Sequence, residues 1–149
     1  MKLPIAMNRR WIRGLHEGLG SLDEGDRLKI MKPAAFQCSS DIWKLCEQFL
    51  GKDIESVDDL TEGWNLLRAD RGLVGSWVKE GGLFKGVFSE CGCPLVRTGL
   101  IELHPVQCRC SQSMMEQIFS RAAKRDASVK LERSIARGDE VCEFIIGFN

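Results

Sequence analysis

The first half of the chain carries its apolar residues at helical spacing. Met7, Trp11, Leu15 and Leu19 recur every four residues before the Gly20-Ser21 break, which predicts a first helix with one apolar stripe. Asp23 to Lys32 reads as a charged second helix stopped at Pro33, because a proline removes a donor and disfavours helical geometry in the residue before it. Ser40 or Asp41 is placed to cap a third helix, in which Ile42, Leu45, Cys46, Phe49 and Leu50 form a buried stripe that Gly51 closes. Ser56 through Arg68 is a fourth helix, with Leu60, Trp64 and Leu67 facing inward.

Past Gly81-Gly82 the period changes to alternation. Leu83 to Cys93 and Leu100 to Cys110 read as two strands of a hairpin with Thr98-Gly99 in the turn region. Ser113 followed by Glu116 fits a capping box, with Met115, Ile118, Phe119, Ala122 and Ala123 on the apolar face behind it. Val129 to Ile135 and Val141 to Phe148 alternate on either side of Arg137-Gly138-Asp139 and predict a closing hairpin, with Leu131 opposite Phe144 and Val129 opposite Ile146. The expected fold class is α+β. A helical N-terminal half, about 1–80, packs on an antiparallel sheet of two hairpins with an intervening helix, about 83–149, in one domain spanning 1–149.

Length and composition agree with a packed core: 149 residues, 44% hydrophobic and 28% charged, suit one globular domain. The 21 basic and 21 acidic residues cancel, so neither nucleic acid nor an anionic membrane surface is an expected partner. Met1 to Met7 is too short and mixed for a signal peptide, and the expected location is the cytoplasm, where thiols stay reduced. The seven cysteines are then core residues, ligands or reactive thiols rather than a disulfide framework.

Their arrangement supplies the candidate chemistry. Cys91-Gly92-Cys93 is followed by Cys108-Arg109-Cys110, and a hairpin between them sets Cys91 opposite Cys110 and Cys93 opposite Cys108. Four thiolates complete a tetrahedral shell for zinc, or less fittingly for iron, provided that Gly92 and Pro94 let the first pair form a knuckle. The spacing is not the C-x-x-C of zinc ribbons, so two other readings stand beside the metal: small thiols packed as hydrophobes, and redox pairs. Cys142 alternates with Phe144 and faces the same interior, Cys38 precedes the third helix and is placed to line a cavity, and Cys46 is structural. His16 is expected at the surface. His104, beside the second cysteine pair, is a candidate proton shuttle or ligand-binding residue. No phosphate-binding glycine loop, serine nucleophile elbow or zinc-protease helix occurs, and Asp58-Asp59 and Asp23-Glu24 fit first-turn helix charges.

From Cys91 to Phe148 the chain resembles a cysteine-containing bacterial and archaeal family related to 4-vinyl-reductase-like small-molecule-binding domains and thiazoline-carboxylate-hydrolase-like proteins. The resemblance is carried by Cys91-Gly92-Cys93-Pro94-Leu95-Val96, by Cys108-Arg109-Cys110-Ser111 and by the run from Val129 to Ile146; in the first half it rests on Trp11-Ile12, on Arg27 to Met31 and on Cys38. It implies an antiparallel sheet packed on helices, a fold shared with a transport-particle subunit family, a cavity for a small, largely apolar ligand, and cysteines that bind metal. The chain departs from that pattern at Ser111-Gln112-Ser113-Met114, where relatives carry a Gly-Trp pair, and it has no tyrosine for the haem-binding motif of gas sensors of similar shape. The preferred expectation is a binding module with Cys38, Cys142 and His104 at the ligand and Cys91, Cys93, Cys108 and Cys110 at a metal. The alternatives are a cysteine-dependent hydrolase or thiol-redox enzyme, activated by Arg109 or His104, and a zinc-stabilised interaction domain whose partner is a protein, including a second copy in a homodimer.

Overall fold

A computed structural model describes residues 3–149, with side chains from Ile5 onward. Three helices come first: α1 (Leu3–Ser21), α2 (Glu24–Leu50) and α3 (Val57–Asp70). A hairpin of β1 (Trp77–Glu80) and β2 (Leu83–Phe88) follows, then a short α4 (Pro94–Arg97), a long α5 (Pro105–Ala123), and β3 (Ala127–Arg133) and β4 (Cys142–Phe148) around a 3-10 turn at Ile135–Arg137. The four strands form one antiparallel sheet in the order β1-β2-β4-β3, so the α+β architecture is as the pattern predicts. No described helix is long and apolar enough to cross a membrane.

Pro33 does not end a helix. Asp23 caps α2 by accepting a hydrogen bond from the Asp26 N–H, at 2.9 Å, and the helix then runs for 27 residues through the proline to a Gly51 cap. An interior proline costs roughly 3 kcal/mol. Packing offsets it, because Met31, Ala35, Ser39, Trp43 and Cys46 make one buried stripe that continues across Pro33 and faces α3 and α5. At the α2–α3 crossing a Cβ on Gly63 would stand 2.6 Å from the Cys46 carbonyl oxygen, so only glycine allows this approach.

The predicted apolar stripe of α1 holds only at Leu19. Met7, Trp11 and Leu15 are exposed, while Leu19 packs with Met31 and Val106 and His16 is buried. His16 stacks on His104 with ring centroids 5.2 Å apart, which explains why a residue expected in solvent lies inside.

The first hairpin lies upstream of the predicted one. Glu80 pairs with Leu83 around Gly81-Gly82, so those glycines are a two-residue turn and not a boundary between halves. The predicted strand Leu100 to Cys110 is absent: Pro94 and Pro105 each sit in the first turn of a helix, where a missing N–H and a preset φ favour helix initiation. Helix α5 starts eight residues before the Ser113-Glu116 box, with His104 as its cap. The last hairpin has the predicted register, Leu131 opposite Phe144 and Val129 opposite Ile146, and β2 docks on its free edge with Phe88 opposite Cys142. The core lies between α3, α5 and the inward face of the sheet, where Trp64, Trp77, Phe84, Phe88, Phe119, Phe144 and Ile146 are buried together.

Candidate ligand cavity

The ring-filled core gives way, towards α2 and α4, to a cavity of about 460 Å³. α2 contributes Cys38, Ile42 and Leu45; α3 contributes Trp64, Leu67 and Arg68; the segment between β2 and α4 supplies Cys91, Gly92 and Cys93; α5 supplies Cys108, Cys110, Met114 and Met115; and Cys142 and Phe144 of β4 close the base. Six of the seven cysteines therefore reach one space. The seventh, Cys46, is fully buried in the core, where burial pushes its thiol up to about 12.

The six arrive from four parts of the chain. Cys91 and Cys93 lie in irregular backbone, because β2 ends at Phe88. Cys108 and Cys110 lie on the first turns of α5, two residues apart and so on different sides of the helix. Cys108 turns to Ser134, with Sγ 3.2 Å from Oγ, while Cys110 packs towards α2 near Cys38. Cys93 Sγ lies 3.6 Å from the Gln107 amide nitrogen. The facing-strand arrangement that placed Cys91, Cys93, Cys108 and Cys110 around zinc or iron is thus replaced by a loop and a helix. Among the described residues no group of three or more His, Cys, Asp or Glu side chains is arranged to hold a metal ion.

Burial disfavours the thiolate at Cys38, Cys91, Cys110 and Cys142. Burial pushes Cys91 up to about 11, with smaller effects from its thiol neighbours, and pushes Cys110 up to about 11, with Cys38 and Cys93 adding to it. Burial also raises Cys38, and it raises Cys142 against the opposing pull of the Ile135 N–H, 3.5 Å from its Sγ. Arg109 gives these thiols no activation, since it pairs with Glu24 of α2 and donates to Gln112 Oε1 at 3.2 Å. His104 is committed elsewhere too: its Nδ1 accepts the Val106 N–H at 3.1 Å, and the ring leans on His16 outside the cavity lining. A polar residue directly before a proline was the signal for that capping role.

One functional-looking side chain escaped the sequence reading. Arg68 is only 6% exposed, yet it lines the cavity. Its Nε donates to Gly75 O at 3.3 Å, its Nη2 to Val74 O at 3.0 Å, and its guanidinium lies 4.0 Å from the centroid of the Phe88 ring. Burial lowers its pKa. The signal was a cation at i+4 from Trp64, within the apolar stripe of an amphipathic helix. Asp41, Arg71 and Glu90 stand at the rim, exposed, with Glu90 taken by Arg97 at 3.1 Å. A second depression of about 500 Å³, bounded by Glu55, Asp58, Lys79, Lys124 and Arg125, is more open and charged, and none of the cysteines line it.

No family model matches the sequence. No curated protein matches it either. Among solved structures the chain is similar to a trafficking protein particle complex subunit 3 from Naegleria fowleri covalently bound to palmitic acid, at TM-score 0.62 and 7% identity over 97% of this chain and 94% of that one. It is also similar to the phenol-responsive sensory domain of the transcription activator PoxR with phenol, at TM-score 0.56 and 13% identity over 97% of this chain and 73% of that one. At such identities the likeness is one of fold.

Proposed function

We propose that this chain is a small-molecule-binding domain that takes a largely apolar ligand into the thiol-lined cavity. The observation that carries the reading is the cavity itself: about 460 Å³ left open inside an otherwise ring-filled core and walled by Met, Leu, Ile, Phe and Cys side chains. Small-molecule pockets have volumes of ~300–1,000 Å³ and walls of this kind, with few polar groups. Two proteins of the same fold hold palmitic acid and phenol, and the resemblance of Cys91 to Phe148 to 4-vinyl-reductase-like domains points the same way. The contacting residues would include Cys38 and Cys142, as the sequence suggests, with Cys91, Cys93, Cys108 and Cys110 as wall rather than metal shell. A cysteine-dependent enzyme using Cys38, Cys91, Cys110 or Cys142 fits less well, because a nucleophile needs a depressed thiol pKa and burial shifts these four upward.

The test is a panel of fatty acids and phenols followed by native mass spectrometry and thermal denaturation. A ligand at a hundred times its Kd is expected to stabilise the fold by about 2.7 kcal/mol. A panel that leaves both mass and Tm unchanged removes the reading.

A further inference from the structure

Arg68 feels the opposed charges of Glu90 and Arg97, which pair with each other, but has no carboxylate of its own. Among the described residues no carboxylate lies within ion-pair distance of it, and its two hydrogen bonds to carbonyls employ only Nε and Nη2. Those bonds fix one edge of the guanidinium, and Phe88 supports one of its faces. The remaining corner, Nη1, has no acceptor among the described residues; it lies beneath the Gly92 backbone, where a Cβ would come within 3.1 Å of it. A guanidinium carries five N–H donors, and burying one without an anion is costly unless a partner completes its hydrogen bonding. Carbonyl dipoles and an aromatic face supply part of that compensation. A negative group beside Nη1 would supply the rest.

Resting on the cavity being a ligand site, we propose that the ligand is an organic acid, an apolar body ending in one carboxylate, and that Arg68 receives the carboxylate through Nη1 while the thiol and methionine wall takes the apolar body. The division of labour follows from the lining: among the described residues Arg68 is the one buried cation of the cavity, and Asp41, Glu90 and Arg71 stand at its exposed rim. Arginine suits the task better than lysine. Its planar fork is held rigid by the two carbonyls and the ring, so little freedom is lost when the anion arrives.

The experiment compares dodecanoic acid with dodecanol, matched in chain length, for binding to the full chain by isothermal titration at neutral pH. The acid is expected to bind on the order of ten- to a hundred-fold tighter, the range for a hydrogen bond to a charged group. Arg68→Gln is expected to erase that preference, so that the variant binds acid and alcohol equally. Because Arg68 also ties down Val74 and Gly75, a second variant guards against a folding defect. Gly92→Ala sets a methyl against Nη1 without touching either carbonyl bond, and it should narrow the acid-over-alcohol preference. Equal affinities for acid and alcohol, unchanged in both variants, overturn the role of Arg68 and leave the apolar cavity standing. If neither compound binds, the cavity reading and the acid specificity fall together.

Discussion

The space between the helices and the sheet has two ends built from side chains of different volume. At one end Trp64, Trp77, Phe84 and Phe119 lock together, with ring centroids 5.0 to 6.4 Å apart. At the other end cysteines from α2, α5, β4 and the segment after β2 stand where rings would otherwise meet, and about 460 Å³ stays open. Helix α5 spans both, with Cys108, Cys110, Met114 and Met115 at the cavity and Phe119 among the rings. The difference shows how a fold can keep a cavity: rigid rings hold the walls apart, and small thiols line the gap without filling it. Trp64 and Phe88 belong to both ends and mark the border.

That contrast is most easily broken at the packed end. Phe119 is fully buried and touches the rings of Trp64, Trp77 and Phe84, so Phe119→Ala should cost about 3–5 kcal/mol in a urea titration. A loss below ~1 kcal/mol would mean that the rings are not packed as a core. Gly63→Ala adds only one methyl, but against the Cys46 backbone, and overpacking of this kind costs about 1–3 kcal/mol. The cavity end should behave in the opposite way. Cys38→Phe adds a whole ring beside open space, so it is expected to change stability by less than ~1 kcal/mol while excluding fatty acid from the cavity. A Cys38→Phe protein that still takes up fatty acid would place the ligand elsewhere.

The same contrast explains what the sequence made legible. The β3–β4 hairpin was readable to its register, because Val129, Leu131, Phe144 and Ile146 alternate towards one face and Gly138, at φ +100°, sits where a Cβ would be strained. Helix α3 was readable for a similar reason: its apolar stripe and its Ser56 cap are local. Leu100 to Cys110 misled because a few alternating apolar residues imitate a strand, whereas Pro94 and Pro105 as helix starters were the stronger signals. Helix α2 overrode its proline through tertiary packing, which no local window contains. The cavity was half legible. Cysteine as a residue type marked the right segments, but the meeting of Cys38, Cys91, Cys110 and Cys142 depends on how α2, α5 and β4 stack.

A smaller effect concerns metal. With the four expected ligands spread over a loop and two sides of a helix, a strong chelator should leave the urea midpoint unchanged, and elemental analysis of the purified protein should find zinc and iron well below one per chain. Stoichiometric zinc, together with unfolding by chelator, would restore the four-thiolate site and demand a rearrangement of residues 91–93.

The smallest expected effect is a pH dependence that separates buried thiols from ordinary ones. An unperturbed thiol loses its proton near 9, whereas burial holds Cys91 and Cys110 up to about 11 and Cys46 up to about 12. Between those values the folded chain binds more protons than the unfolded chain, so stability falls as pH rises. The thiol contribution is fully present below pH 9 and is lost as pH climbs through 11 to 12. Lysines also titrate in this window, and the urea midpoint alone would mix the two. The sequence offers a cleaner readout: it has no tyrosine, so no phenolate overlaps the ultraviolet absorbance of thiolate. Titrating native and urea-unfolded protein side by side should show the native thiolate rise displaced upward for at least these three cysteines. Cys91→Ser and Cys110→Ser should each remove one late-ionising thiol and flatten the alkaline loss of stability slightly. A thiolate that forms in native protein well below pH 9 and disappears in one of these variants would identify a nucleophile, and the cavity would then be a reaction site as well as a binding site.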